Sequence, residues 1–204
     1  MPSSRAVEKQ LLREKIWRLL EECSIARFPL PCFGRIPNFE GSDKAAERLA
    51  ETQEWKEAKV IVANPDYAQK KVRELALRDG KILIMASPRL KHGYIKINPN
   101  KVKGKESIAS TIKGAFEFGE RIEKLEKPDL IITGCVAVNS AGYRLGKGGG
   151  YGDREIKTFK EKFGDIPVAT TVHELQIVEK IPFEEHDQRI DIIATPKIII
   201  RVPF

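Results

Sequence analysis

The hydrophobic pattern of the chain alternates between two periods. Asp129 to Val138 is nearly continuous apolar sequence rich in β-branched residues, the pattern of a strand covered on both faces. Shorter runs of the same kind occur at Lys59–Ala63, Lys81–Ala86, Ile166–Val172, Asp191–Thr195 and Lys197–Val202. Helical spacing fills much of the rest. Ser3 or Ser4 opens a helix to about Cys23, with Val7, Leu11, Leu12, Ile16, Leu19 and Leu20 on one stripe. Ser42 caps a second helix through Ala45, Ala46, Leu49 and Ala50, Asp66 to Arg78 forms a third ended by Asp79-Gly80, and Asp153 to Phe163 a fourth. Ser107 to Phe118 reads as loop and short helix, and Glu120 to Pro128 as the lead into the Asp129 strand. The alternation predicts one three-layer α/β/α domain over residues 1–204, with a mainly parallel sheet and right-handed crossovers.

Phe28 to Ser42 breaks both periods. Three prolines there remove backbone donors and make regular structure unfavourable, yet the stretch is apolar and must pack somewhere. Cover for the core is the favoured reading, and the wall of a pocket the other.

Composition narrows the setting. The 204 residues suffice for a core without covalent staples. Cys23, Cys32 and Cys135 are odd in number and lack metal-ligand spacing, which points to free thiols in a reducing, cytoplasmic compartment. His92, His173 and His186 share no zinc spacing. No apolar run approaches the roughly 20 residues that span a bilayer, so no membrane partner is expected. The net charge of +7 is concentrated: Lys81, Arg89, Lys91, Lys96, Lys101, Lys103 and Lys105 lie in a segment without one acidic residue, and the remainder balances. Such a segment is either a solvated loop or a site for a polyanion such as RNA or a nucleotide.

The chemistry is densest after the Asp129 strand. Gly146, Gly148, Gly149, Gly150 and Gly152 clear side chains from the backbone just before the Asp153 helix, where unpartnered amides and the helix dipole favour an anion. Arg144 and Lys147 add positive charge. The loop fits neither the Walker pattern nor G-x-G-x-x-G, since Tyr151 falls where the third glycine belongs. Asp153 stands where a magnesium ion bridging phosphates could be held, while Asp187 and Asp191 flank a strand entry.

Lys9-x-x-x-Arg13, Arg144-Leu-Gly-Lys-Gly-Gly-Gly-Tyr-Gly-Asp153 and His186-Asp-x-x-x-Asp191 together resemble the 5-formyltetrahydrofolate cyclo-ligase (methenyltetrahydrofolate synthetase) family. Arg35-Ile-Pro-Asn-Phe39, Ser87-Pro-Arg-Leu90, Gly146-Lys-Gly148, Val172-His173 and Glu184-Glu-His-Asp187 are similar to its divergent methenyltetrahydrofolate synthetase domain-containing branch. The resemblance implies an ATP- and magnesium-dependent ring closure of 5-formyltetrahydrofolate, or of a related amide, through a phosphorylated intermediate. It implies that Lys9, Arg13, Arg144, Gly146, Lys147, Gly148, Gly149, Gly150 and Tyr151 bind ATP. Arg144 and Lys147 are then catalytic, and Asp153 and Asp191 hold magnesium. The departures lie on the folate side: standard members carry Tyr-Tyr-Asp where this chain has Tyr151-Gly152-Asp153, and a Trp-x-Met-Arg-like stretch is missing. The alternative is a non-catalytic relative that binds nucleotide or RNA through Lys81 to Lys105.

Overall fold

The apolar runs meet in one eight-stranded sheet. The computed structural model describes residues 2–203. In chain order the strands are β1 (Val60–Ala63), β2 (Ile82–Ala86), β3 (Tyr94–Ile97), β4 (Glu120–Ile122), β5 (Leu130–Ile132), β6 (Val168–Thr171), β7 (Ile192–Ala194) and β8 (Ile199–Arg201). Across the sheet they follow the order β8-β7-β6-β5-β1-β2-β3-β4. The contiguous set β7-β6-β5-β1-β2 is parallel, with Ile61 level with Leu83 on one side and Leu130 on the other. The pairs β2–β3, β3–β4 and β7–β8 are antiparallel.

The main helices are α1 (Ser4–Glu22), α2 (Ser42–Ala50), α3 (Lys70–Arg78), α4 (Ile112–Phe118) and α5 (Tyr151–Phe163). Alternation along each strand sorts the core into two layers. Ile61, Ala63, Leu83 and Met85 face Leu49 of α2 and Val72, Ala76 and Leu77 of α3. Val62, Ile84, Ile131 and Ile193 face Ile156 and Phe159 of α5. Each such aliphatic or aromatic side chain withdrawn from water stabilises the fold by roughly 1.5–3 kcal/mol. Helix α1 covers neither face. Its Ile16, Trp17 and Leu20 pack on Cys32, Ile36, Ala68, Val136 and Leu145, so it closes over the loops leaving the carboxyl ends of β1 and β5.

Several expectations change. The Asp129 run is not one strand: it leaves the sheet after Ile132, and Ala137–Val138 pairs antiparallel with Arg144–Leu145. A Cβ at Gly134 would lie 2.5 Å from Ile36 Cγ2 and 2.7 Å from Gln69 Oε1, so the departing backbone runs tightly against its neighbours. The Asp66–Arg78 helix divides into a 3₁₀ turn at Tyr67–Gln69 and α3. Gly41 at φ 82°, rather than Ser42, occupies the N-cap of α2, with Pro196 packed where a Cβ would stand. Strand β4 lies where Glu120 to Pro128 was expected only to lead into the Asp129 strand, and it is short and largely exposed; β3, within the basic segment, is a further strand that was not expected.

Candidate functional site

A cleft of about 980 Å³ opens at the carboxyl edge of the parallel strands, where open α/β sheets gather ligands. The chain after β1 contributes Asn64 and Asp66, the chain after β2 Ser87 to Leu90, and the chain after β5 Thr133 and Gly134. Lys9 and Arg13 enter from α1, and Glu184, His186 and Asp187 from the segment before β7. The Phe28–Ser42 stretch also lines it with Phe28, Pro29, Gly34, Arg35 and Ile36, although core cover was the favoured reading. Its Cys32 and Ile36 are buried while Phe28 and Leu30 stay exposed, so one side packs and the other faces the cleft mouth. Trp17 Nε1 donates to Arg35 O at 2.9 Å and Asn38 Nδ2 to Phe28 O at 2.8 Å, which ties the stretch in place.

The glycine loop leads directly into α5. Gly148 at φ 112° and Gly150 at φ 68° adopt left-handed conformations that disfavour other residues. No side chain caps α5, so the amides of its first turn are available to an anion. Arg13 Nε donates to Gly146 O at 2.7 Å, bracing the loop from α1. Lys147 Nζ pairs with Asp66 Oδ1 at 3.0 Å, and Asp66 also accepts from Asn64 Nδ2 at 2.7 Å. Tyr151 is exposed, beneath the Arg154 guanidinium at 4.6 Å.

Arg144 is one of the buried cations of the site, with Lys9 and Arg73. Its Nη2 lies 2.9 Å from Asp153 Oδ1, its Nη1 donates to Gly134 O at 3.3 Å, and its Nε is buried without a partner. Gly152 explains the missing second tyrosine: a Cβ there would lie 2.6 Å from Arg144 Nη2 and 3.1 Å from Thr133 Oγ1. Any side chain at 152 therefore requires the guanidinium end to shift.

Glu155 also lines the cleft, in a buried position that sequence spacing did not single out. Burial raises its pKa to about 7, against the opposing pull of the Tyr94 hydroxyl and Arg144. A carboxyl raised in the folded state from its ordinary 4.5 contributes stability that is complete below pH 4.5 and lost as pH rises through about 7. The loss is about 3 kcal/mol. Urea unfolding at pH 5 and pH 8 should show that decline in the wild type, and Glu155→Gln should remove it; an equal decline in both proteins would assign it elsewhere.

Lys9 Nζ contacts Glu184 Oε2 at 2.8 Å and Asp187 Oδ2 at 2.7 Å. Burial alone would lower its pKa, but these two carboxylates outweigh it and hold the ammonium above its ordinary value. One oxygen or nitrogen from each of Glu184, His186 and Asp187 falls within 4.8 Å of the others.

Asp191 is not at this site. It stands at the amino end of β7, where Oδ2 accepts from Val168 N at 2.8 Å. Asp129 does the same for Lys59 and Val60 at 2.8 and 2.9 Å. Both aspartates hold strand starts at the edge opposite the cleft. Asp187 is the acid of the His186-Asp-x-x-x-Asp191 stretch that reaches the cleft. The motif contained both, and the chain between them runs from the cleft to the opposite edge of the sheet before β7 begins. Asp153 is in the cleft, and its Oδ1 accepts from Gln188 N at 3.0 Å, beside Asp187.

The basic segment disperses. Lys81 is buried at the amino end of β2 and donates to Ala58 O at 2.7 Å. Lys96 pairs with Glu126 and Lys101 with Glu120, both at 2.6 Å, acids supplied from outside the segment. Lys105 lies 5.5 Å over the Phe118 ring. Arg89 alone of these cations lines the cleft. This placement does not support an RNA surface. Burial raises the thiols of Cys32 to about 12 and Cys135 to about 11, so neither is a nucleophile near neutral pH. Among the described residues no helix is long and apolar enough to cross a membrane.

The sheet and cleft define an open α/β protein with an anion-receptive glycine loop at its carboxyl edge. Residues 5–196 match the 5-formyltetrahydrofolate cyclo-ligase family, and the chain belongs to it. The methenyltetrahydrofolate synthase domain-containing protein of Bos taurus is 37% identical over 212 residues, covering 98% of this chain and 55% of that protein. The chain thus spans about half the length of that relative. The 5-formyltetrahydrofolate cyclo-ligase of Escherichia coli is 39% identical over 72 residues, covering 35% of this chain and 38% of that protein. The fold is shared with 5,10-methenyltetrahydrofolate synthetase of Aquifex aeolicus at a TM-score of 0.62 and 22% identity, covering 96% of this chain and 93% of that one.

Proposed function

We propose that the chain is an ATP- and magnesium-dependent cyclo-ligase that converts 5-formyltetrahydrofolate, or a closely related N-formyl compound, to its cyclised product. The observation that carries this reading is the unpartnered, buried Nε of Arg144 beside the uncapped start of α5. A buried donor left unsatisfied costs free energy, and a phosphate oxygen would relieve it. In this reading the formyl oxygen would take the terminal phosphoryl of ATP with release of ADP, nitrogen 10 would attack the activated carbon, and phosphate would leave. The residues position and neutralise: the loop amides and Arg144 would hold phosphoryl oxygens, Arg13 would brace the loop, and Lys147 would approach from its Asp66 contact.

The cation-binding group would be drawn from Glu184, His186 and Asp187, with Asp187 taking the place first given to Asp191, and Asp153 stands on the same cleft. Carboxylate oxygens suit a hard ion such as magnesium, which when bound would neutralise charge on the phosphates. Three free thiols fit a reducing cytoplasm as the setting.

The test is absorbance at the methenyltetrahydrofolate band after mixing protein, 5-formyltetrahydrofolate, ATP and magnesium. Wild type should give a rise, and Lys9→Ala should lower the rate at least about tenfold, because it removes a cation from the phosphate site and its contact with Asp187. No rise with wild type, alongside calorimetric ATP binding, would mean that the phosphate site serves another substrate.

A further inference from the structure

Asp66, Asp153, Glu184 and Asp187 line the cleft, and each already faces a cation of the protein's own. Lys147 holds Asp66, Arg144 holds Asp153, and Lys9 holds both Glu184 and Asp187. Lys9 differs from the other two. Its Nζ touches Glu184 Oε2 at 2.8 Å and Asp187 Oδ2 at 2.7 Å, so one ammonium bridges two carboxylates as a metal ion would. Those two acids, with His186, are the group whose ligand atoms converge within 4.8 Å. The side chains of Lys9 and Asp187 keep only 11% and 7% of their exposure, so bulk salt screens their contact little. Asp187 is also fixed in place, since Oδ2 accepts from Glu184 N at 2.9 Å.

The charges decide what a divalent ion meets there. Two carboxylates and one ammonium leave a single net negative charge when His186 is neutral. A divalent ion added beside the ammonium would set two cations against each other a few ångströms apart, whereas exchange for the ammonium leaves the group neutral. Magnesium also draws its oxygens to about 2.0–2.1 Å, closer than an ammonium holds them. The two cations cannot share Glu184 Oε2 and Asp187 Oδ2.

A displaced ammonium needs another anion. Lys9 and Arg13 stand four residues apart on the same side of α1, and Arg13 Nε donates to Gly146 O at 2.7 Å. The glycine loop therefore lies about one helical turn, roughly 5–6 Å, from Lys9. A four-carbon stem can cover that distance. Phosphate oxygens seated on the loop would supply the anion.

We propose that Lys9 is a resident counter-ion that keeps divalent metal off Glu184 and Asp187 until the phosphates of a nucleotide draw the ammonium to the glycine loop. The inference rests on the ligase reading for the identity of the anion and adds an order to it: the metal enters with the nucleotide, not ahead of it.

The experiment titrates manganese(II), which shares the oxygen preference of magnesium, into the whole chain without nucleotide and follows the free ion by electron paramagnetic resonance. Lys9→Met should bind the ion at least about tenfold more tightly than wild type. Lys9→Gln, which keeps a donor for the carboxylates and so is milder on folding, should do the same. Lys9→Arg keeps the charge and should stay as weak as wild type. Without metal Lys9→Met should melt below wild type, and manganese should raise its melting temperature by more than it raises that of wild type. Adding Asp187→Asn to Lys9→Met should abolish the gain in affinity, which places the ion on these carboxylates. A purely structural lysine would lower stability on removal without raising metal affinity. Equal manganese affinity in wild type and both uncharged variants, no binding to any of them, or a gain that survives Asp187→Asn would each overturn the proposal. With the gain intact, a wild type that gives no methenyltetrahydrofolate absorbance would count against the ligase reading alone.

Discussion

Arg144→Met should lower the stability of the protein by about 3 kcal/mol and reduce ATP affinity at least a hundredfold. The two effects have separate causes. Methionine fills much of the same volume, so packing is largely kept, but Asp153 loses the guanidinium 2.9 Å away and retains only the Gln188 amide. Breaking one half of a buried ion pair is costly because the remaining charge is left without compensation. The affinity loss follows from removing the donor whose Nε has no partner in the protein. Urea denaturation would report the first effect and calorimetry with ATP the second. Wild-type affinity in a destabilised variant would reduce Arg144 to a structural residue.

Gly152→Tyr, which recreates the Tyr-Tyr-Asp of standard family members, should lower stability and weaken nucleotide binding, because here it displaces Arg144 from its present place. The new Cβ would stand 2.6 Å from Arg144 Nη2, so the guanidinium must shift from its place beside Asp153 to admit it. Overpacking of this kind costs roughly 1–3 kcal/mol even when the neighbours can shift. Gly152→Ala should show the same defect in weaker form, since Cβ alone makes the contact. Thermal melting together with ATP titration would check both. If Gly152→Tyr bound ATP as wild type does, Arg144 would have to possess a second resting place.

How far the sequence foretold this arrangement depends on what each signal measures. The β1, β2 and β6 runs were legible because strands buried on both faces leave continuous apolar sequence. The glycine loop was legible because its residue types suit few other roles. Strand β4 was not, since a three-residue, largely exposed edge strand reads as loop, and β3 beside it alternates buried Ile95 and Ile97 with half-buried Tyr94 and Lys96 within a basic stretch. Asp187 and Asp191 were indistinguishable by type, and only the course of the irregular stretch between them, which runs from the cleft to the opposite edge of the sheet before β7 begins, tells them apart. The pairing of Lys96 with Glu126 and Lys101 with Glu120 depends on partners 30 and 19 residues away, so local charge counting overstated the basic surface. The break after Ile132 follows from the close approach of Ile36 and Gln69, long-range neighbours that strand propensity does not register.

The contact between Lys9 and Asp187 joins residues 178 positions apart. Closing so large a loop in an unfolded chain carries an entropy cost that a single ion pair does not offset, so the parallel strands must already hold the two ends near each other. Helix α1 can form early from local contacts, but it reaches its seat only after β1 and β5 have placed the loops beneath it. The cleft is consequently completed late in folding. A ribosome still synthesising the last strands would carry the glycine loop and both halves of the Arg144–Asp153 pair, but not yet a closed cleft.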